Sequence, residues 1–198
     1  MKILGITGPT GAGKTTALNV LTSLGACILD ADAVYHDLLE QSRALREALT
    51  GRFGDICDET GKIDRKKLGG VVFTDPAALA DLNSITHRFM EAELDRRLRE
   101  AEREDRPAAA IDAIALLESG FGAKCDATVA VVAPAELRVR RIMAREGIPE
   151  DYARKRVSAQ KPESFFRERC DYVLENNEDD TPETFGARAL ALFLTILE

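Results

Sequence analysis

The distribution of apolar and polar positions along the chain predicts a parallel sheet of five short strands. Five segments are almost continuously apolar, which is typical of strands that are buried on both faces. They are Lys2–Thr7, Ala26–Asp30, Ala108–Ile114, Ala127–Val132 and Asp171–Leu174. Between the first two, leucines recur at helical spacing and Gly25 follows as a stop signal. This strand–helix–strand order indicates an α/β fold with helices flanking the sheet.

The stretch between the second and third strands, residues 31–107, is too long for a single crossover helix. Residues 32–54 have a helical pattern that could form one or two helices. Asp75-Pro76 then opens a long amphipathic helix whose apolar residues lie on one side. We interpret the charged run at its end, residues 96–106, as a solvated helix terminus. The pattern therefore predicts a helical lobe inserted into the sheet domain.

Composition limits the classes of partner. The chain has 198 residues with a net charge of −7, 6% aromatic residues and no Trp, which argues against a nucleic-acid or membrane-surface binder. No apolar stretch approaches the ~20 residues that a bilayer crossing needs, and no leader pattern opens the chain. The four widely spaced cysteines fit neither a disulfide framework nor a zinc site. We expect a cytoplasmic enzyme; its oligomeric state stays open, and a monomer is compatible with the sequence.

A glycine-rich loop follows the first strand. Residues 8–16, GPTGAGKTT, match G-x-x-x-x-G-K-[ST] between a strand and a helix. Glycines let successive backbone N–H groups turn toward phosphate oxygens, and the helix N-terminus adds partial positive charge. Lys14 can reach the β- and γ-phosphates and the Thr15 hydroxyl can bind Mg²⁺. The motif predicts binding of ATP with Mg²⁺ by Gly11, Ala12, Gly13, Lys14, Thr15 and Thr16.

A dinucleotide-binding fold is the alternative to this P-loop. Asp30 lies about twenty residues downstream, where such folds place a ribose-binding acid. However, the glycine order is G-x-x-G-x-G and not G-x-G-x-x-G. Lys14 and Thr15 would also have no role beside a pyrophosphate that the backbone already holds. We therefore favour the P-loop.

Three aspartates follow strands at positions where they could take part in chemistry. A carboxylate can orient an acceptor hydroxyl and remove its proton, and we assign this role to Asp32. The alternative is that Asp30 or Asp32 only caps the following helix. Asp112 could hold Mg²⁺ as a Walker B acid, or it could be an acid at a strand end without a metal contact. The sequence leaves both alternatives open.

Residues 138–156 are strongly basic, with seven basic and three acidic residues in a chain of net charge −7. Arg138, Arg141 and Arg145 lie at i, i+3 and i+7, so a helix would present them together. We predict a lid whose Arg141 and Arg145 bind ATP and neutralise phosphoryl charge; a solvated helix is the alternative. The predicted organisation is a core of residues 1–32, 107–137 and 166–198, a lobe of residues 33–106 and a lid of residues 138–165.

With these residues in hand, the chain resembles the dephospho-CoA kinase family over nearly its full length. The matching stretches are GITGPTGAGKTT, LGACILDADAVYHDLL, GKIDRKKLGGVVFTDPAALADLNSITH, LLESG, RRIMAREG, RVSAQ and DYVLENN. The D-A-D motif and the G-x-[IL]-D-R-x-x-L…V-F…L-N-x-[IL]-x-H block are more specific to this family than the P-loop. The resemblance implies a five-stranded P-loop sheet with a substrate lobe and a lid, and ATP-dependent phosphorylation of the ribose 3′-hydroxyl of dephospho-CoA.

The resemblance also implies roles for individual residues. Asp32 matches the proposed base, Arg141 matches the lid residue at ATP, and Asn176 matches a residue near the adenine. The residues implied at the acceptor are Asp32, Asp64, Arg65, His87 and Glu118.

The chain departs from the family pattern at three positions. Arg88 and Ile114 stand where the family has prolines, and Phe166 lies at or near the position of a lysine. These departures concern the acceptor side and the lid. Two other functions therefore stay open, a P-loop kinase of another small alcohol or nucleotide and an ATP-binding regulatory protein that transfers nothing.

Overall fold

The computed structural model describes all residues, Met1–Glu198. The strands are β1 Lys2–Thr7, β2 Cys27–Asp30, β3 Ala108–Asp112, β4 Ala127–Val132 and β5 Tyr172–Glu175. The α-helices are α1 Lys14–Ser23, α2 Ala31–Gln41, α3 Arg43–Phe53, α4 Arg65–Val72, α5 Pro76–Arg103, α6 Ala135–Glu146, α7 Glu150–Ser158, α8 Glu163–Arg167 and α9 Pro182–Leu197. The chain forms two compact units, Asp30–Arg99 and the remainder. None of the helices combines the length and apolarity that a membrane span requires.

The five strands form one parallel sheet in the order β2-β3-β1-β4-β5, which confirms the predicted fold class. β4 is buried along its whole length, as expected for a strand covered on both faces. Helices α1 and α9 pack against the sheet through Leu21, Phe185 and Phe193, which are almost fully inaccessible to solvent. The apolar strand segments therefore form the core of this unit.

The carboxyl ends of neighbouring strands bring distant residues to one edge of the sheet. Asp112 pairs with Ile6 at the end of β1, immediately before the glycine loop. Asn176 follows β5 and its backbone N–H donates to Val132 O at 2.9 Å. β3 ends at Asp112, two residues earlier than the apolar pattern suggested, and Ile114 O instead accepts a 3.1 Å hydrogen bond from the Thr7 hydroxyl.

The unit of residues 30–99 is helical and has its own apolar core, which includes Leu45, Leu49 and Leu82. Residues 32–54 form two helices and not one, because Ser42 has extended backbone angles and its hydroxyl accepts from Leu45 N at 3.2 Å as an N-cap. The helix that was predicted to begin at Pro76 extends over 28 residues as α5.

The basic segment forms two packed helices, α6 and α7. Gly147 ends α6 with a φ of 66°, and Pro149 precedes α7. A small apolar cluster of Val139, Ile142 and Ala153 holds the two helices together. The basic side chains of this helical pair differ in exposure, since Arg138 is buried whereas Arg140, Arg145 and Arg154 are exposed.

Candidate nucleotide site and acceptor lobe

The backbone of the loop between β1 and α1 leaves no room for side chains at two of its glycines. Gly8 and Gly13 have φ values of 133° and 106°, a region that L-residues rarely adopt. A Cβ atom at Gly8 would lie 2.0 Å from Val131 O, and one at Gly13 would lie 2.3 Å from Asn176 Nδ2. The loop therefore follows the neighbouring backbone closely and presents main-chain groups in place of side chains.

The loop leads into a helix N-terminus that no side chain caps. Gly13 is the N-cap residue of α1, it makes no side-chain cap bond, and the first turn contains no acidic residue. The free N–H groups and the partial positive charge of such a terminus attract anions. Lys14 Nζ donates to Gly8 O at 3.0 Å, so the ammonium group lies across the loop.

A cavity of about 340 Å³ lies over this loop. It is lined by Pro9, Thr10, Gly11, Ala12, Gly13, Lys14, Thr15, Ile114, Arg141, Arg145 and Arg156. The structure thus brings five of the six predicted loop residues together with Arg141 and Arg145, whereas Thr16 does not line this cavity. Arg156 lines the same cavity although helical spacing did not single it out, because it belongs to a different helix from the other two.

Arg141 and Asn176 brace the loop from outside. Arg141 donates to Asn176 Oδ1 at 2.9 Å and to Gly11 O at 3.3 Å, and Asn176 Nδ2 donates to Ala12 O at 3.0 Å. Burial lowers the pKa of the Arg141 guanidinium, while the nearby Asp180 carboxylate opposes this shift. An arginine titrates so far above neutral pH that its charge is retained.

A second network joins the loop to the end of α7. Arg138 is 5% exposed; its Nε donates to Thr10 O at 2.9 Å and its Nη2 to Gln160 Oε1 at 2.5 Å. Gln160 Nε2 in turn donates to the Thr10 hydroxyl at 2.8 Å. Thr10 and Gln160 had no role in the residue-based prediction; the signals for Gln160 were two stretches that resemble the family, RVSAQ and QKPESFF. This network fixes the outer half of the loop to the basic segment.

An adjacent cavity of about 200 Å³ shares Gly13 and Arg141 with the first one. Its other lining residues are Thr16, Asn176, Asp180, Thr181, Pro182 and Phe185. Apolar surface from a ring and a proline beside a few polar groups is typical of a pocket for a planar ligand. Neither Asp180 nor Phe185 was predicted from the sequence, since both lie beyond the last motif that carried chemistry.

The two predicted magnesium residues offer oxygen donors of the kind that Mg²⁺ prefers. Thr15 lies exposed on the first turn of α1, and Asp112 lies at the end of β3, outside the set of residues that line the cavity. No group of three or more His, Cys, Asp or Glu side chains is arranged to hold a metal. Mg²⁺ in phosphoryl-transfer sites keeps several waters and uses one or two protein oxygens plus phosphate, so this donor set fits it.

In the unit of residues 30–99, Asp30 and Asp32 have different roles. The Asp30 carboxylate accepts from Asp32 N at 2.9 Å and from Ala33 N at 3.1 Å, so Asp30 is the N-cap of α2. Asp32 lies in the first turn of α2 and is exposed. The helix cap therefore leaves the Asp32 carboxylate available for another role.

The other predicted acceptor residues of this unit lie on α4 and α5. Asp64 is the N-cap of α4 and accepts from Lys66 N at 2.8 Å. Arg65 is the first residue of α4, and its guanidinium contacts the His36 ring. His87 is exposed on α5. Asp64 thus caps the helix whose first residue is Arg65.

Glu118 belongs to the other unit, where it lines a cavity of about 350 Å³ together with Ile114, Gln160 and Phe166. Phe166 is 2% exposed and packs with Ala130 and Val132. A lysine in that position would bury a charge against apolar side chains, so the departure at Phe166 agrees with the local packing. The Phe166 side chain serves the core of the sheet unit.

Comparison with known proteins shows the family to which the chain belongs. A family model described as dephospho-CoA kinase matches residues 2–181. A curated dephospho-CoA kinase from Corynebacterium diphtheriae is 36% identical over 89% of this chain and 89% of the relative. One from Corynebacterium glutamicum is also 36% identical, over 98% of this chain and 96% of the relative.

Solved structures give the same result for the fold. A protein from Thermus thermophilus superimposes with a TM-score of 0.80 at 33% identity, covering 100% of this chain and 98% of its own. A dephospho-CoA kinase from Campylobacter jejuni superimposes with a TM-score of 0.70 at 24% identity, covering 99% of this chain and 98% of its own. A shikimate kinase from Acinetobacter baumannii shares the fold, with a TM-score of 0.53 at 19% identity over 99% of this chain and 94% of its own. The glycine cradle, the parallel sheet and the match along nearly the whole sequence lead to one conclusion: the chain belongs to the dephospho-CoA kinase family and is a kinase.

Proposed function

We propose that this kinase transfers the γ-phosphoryl group of ATP to the ribose 3′-hydroxyl of dephospho-CoA and releases coenzyme A and ADP. The observation that carries the proposal is the cavity over the glycine loop, which Lys14, Arg141 and Arg145 line beside a second, base-sized pocket, in a chain of this family. A regulatory protein that only binds ATP has no need of an acceptor acid such as Asp32.

Charge stabilisation is the main task of the nucleotide site. Phosphoryl transfer spreads negative charge over the transferred group, and positioned cations and N–H donors stabilise it. Lys14 exchanges its 3.0 Å contact with Gly8 O for phosphate oxygens when ATP enters. Arg141 and Arg145 line the same cavity and contribute their guanidinium charges.

The residues that would hold Mg²⁺ are Thr15, through its hydroxyl, and Asp112, through its carboxylate. The ion supplies positive charge at the phosphate oxygens and reduces the repulsion that an approaching hydroxyl meets. Asn176 would lie beside the adenine, since it lines the base-sized pocket at Gly13.

Asp32 is the proposed base. Its carboxylate accepts the proton of the ribose hydroxyl and orients that oxygen for in-line attack. The support for this role is that Asp30 satisfies the N-terminus of α2, so that capping does not require Asp32. The proposal requires Asp32 and the γ-phosphate to come within reach of the same hydroxyl in the complete complex.

The inserted lobe is proposed to receive the acceptor. Arg65 offers a guanidinium for the pyrophosphate of dephospho-CoA, since Arg forms bidentate bonds with phosphate oxygens. His87 and Glu118 are proposed acceptor residues on the strength of the family match, and Asp64 supports Arg65 by capping the N-terminus of α4.

The test is a coupled assay of ADP release with Mg·ATP and dephospho-CoA, with the phosphorylated position identified by phosphorus NMR. We expect turnover with dephospho-CoA and a new 3′-phosphomonoester signal. Turnover of a nucleoside monophosphate, a sugar or shikimate in its place would favour another small-molecule kinase. Binding of ATP without transfer to any acceptor would favour a regulatory protein.

A further inference from the structure

The pair of helices α6 and α7 carries two similar ion pairs. Arg154 of α7 donates to both carboxylate oxygens of Glu136, each at 2.7 Å. Arg156, also of α7, pairs with Glu146 at the end of α6. The two arginines lie two residues apart on one helix and bind acids of the same neighbouring helix. They differ in their surroundings, since Arg156 lines the cavity over the glycine loop and Arg154 does not.

Glu146 binds two guanidinium groups at once. Arg145 Nη2 donates to Glu146 Oε1 at 2.7 Å, while Arg156 Nη1 donates to the other oxygen, Oε2. Both arginines line the cavity over the glycine loop, whereas Glu146 does not. The hydrogen bond from Arg145, and then that from Arg156, lowers the pKa of Glu146, so this carboxylate is ionised at neutral pH.

Arg141 in the same cavity has partners of a different kind. It donates to an amide oxygen and a backbone carbonyl, which are neutral groups, and these bonds brace the loop. Arg145 and Arg156 are instead held by an anion. A phosphate group presents the same chemistry as Glu146, namely oxygens that share negative charge and accept from guanidinium groups. Arg145 and Arg156 can therefore exchange their carboxylate for phosphate oxygens without leaving any donor unpaired.

We propose that Arg156 is a third arginine of the triphosphate site and that Glu146 is its internal counter-anion. Before nucleotide binds, Glu146 neutralises part of the charge of Arg145 and Arg156 and holds their side chains at the cavity. The triphosphate then competes with Glu146 for the two guanidinium groups. This inference rests on the proposed function only in taking a nucleoside triphosphate as the ligand of the cavity.

The experiment compares the two ion pairs as matched controls. Isothermal titration calorimetry of the full-length protein with Mg²⁺ and a non-hydrolysable ATP analogue measures Kd, and thermal unfolding checks that each variant is folded. Arg156→Ala should weaken binding about tenfold, because a charge-assisted bond to phosphate is lost. Arg154→Ala should stay within about twofold of the unmodified protein, since that side chain lies outside the cavity.

The acidic partners give the opposite sign. Glu146→Gln should tighten binding of the analogue at least about twofold, because a competing anion is removed, whereas Glu136→Gln should leave Kd unchanged. Arg156→Lys should recover part of the lost affinity, since it restores the charge without the planar fork. Guanidinium ions added at millimolar concentration should partly restore turnover in Arg156→Ala and have no such effect on Arg154→Ala.

Equal Kd values for Arg156→Ala and Arg154→Ala would overturn the role of Arg156. Weaker binding in Glu146→Gln would overturn its role as a competing anion and indicate a structural one. Failure of the unmodified protein to bind the analogue would remove both this inference and the proposed function. Binding that depends on Arg156, in a protein that does not phosphorylate dephospho-CoA, would leave the inference standing and refute the proposed function alone.

Discussion

Asp30 and Asp32 are separated by one residue, yet only Asp30 is committed to local structure. The Asp30 carboxylate accepts from two backbone N–H groups at the start of α2, which is the bonding pattern of an N-cap. Asp32 is exposed one residue into the helix. The same division occurs at α4, where Asp64 caps the helix and Arg65 follows it. In both helices the acid that caps the N-terminus and the candidate functional residue that follows are therefore different side chains.

This division predicts the effect of removing the Asp32 charge. Asp32→Asn should lower kcat with dephospho-CoA at least ~10²-fold, the usual contribution of a positioned acid–base group, while Kd for an ATP analogue stays within about twofold. Asp30→Asn is the control, because Asn caps helices about as well as Asp. Normal kcat in the Asp32 variant would leave Asp32 without a role in proton transfer.

At the scale of elements, α5 is tied to α2 through a cluster of charges. Glu93 accepts from Arg96 and Arg97 on α5, and Arg97 also donates to Asp37 of α2 at 2.9 Å. The hydrogen bond from Arg96, and then that from Arg97, lowers the pKa of Glu93 from its ordinary 4.5 to about 2. The charged run 96–106, which the sequence indicated as a solvated helix terminus, therefore departs from that expectation at its first two residues, because Arg96 and Arg97 belong to this cluster.

The lowered pKa of Glu93 predicts how stability depends on pH. An acid whose pKa falls on folding contributes stability above its unfolded pKa of 4.5 and loses it as the pH falls toward about 2. Glu93→Gln should lower the free energy of unfolding by about 1 kcal/mol at pH 7, or Tm by about 2–4 °C. Urea unfolding at several pH values should show this difference narrowing below pH 4.5. The control is Glu40→Gln, an exposed acid of α2, and a difference that does not change with pH would contradict the prediction.

At the scale of the whole molecule, the kinase combines a sheet unit with a helical unit inserted between β2 and β3. The shikimate kinase from Acinetobacter baumannii, solved in complex with shikimate, shares the fold at a TM-score of 0.53. In our proposal the inserted unit, residues 30–99, is the part that distinguishes the acceptors.

This view predicts a graded response to acceptor size. AMP and ADP lack the pantetheine arm, so kcat/KM should fall at least ~10²-fold relative to dephospho-CoA, because remote binding energy contributes to the transition state. Arg65→Ala should reduce this preference for dephospho-CoA, since one proposed phosphate contact is lost. The control is Arg52→Ala, which removes an exposed arginine of α3. Equal kcat/KM values for AMP and dephospho-CoA would refute an acceptor role for the lobe.

The sequence by itself determined the features that depend on neighbours along the chain. Strand burial, the α1 stop at Gly25 and the P-loop follow from periodicity and backbone preferences over a few residues, and the structure has them. It also restricted the cap of α2 to two aspartates. Between Asp30 and Asp32, hydrogen-bond geometry made the choice, since only one side chain can accept from the N–H groups of that first turn.

Only the tertiary structure decided which side chains meet across long separations. Thr10, Arg138 and Gln160 form one network although they lie up to 150 positions apart in the sequence. Arg154 and Arg156 are both arginines of α7, yet only Arg156 lines the cavity over the glycine loop when α7 packs against α6. Phe166 is buried against Ala130 and Val132, a contact that its neighbours along the chain do not reveal. Side-chain direction depends on packing between elements, and no local pattern encodes that.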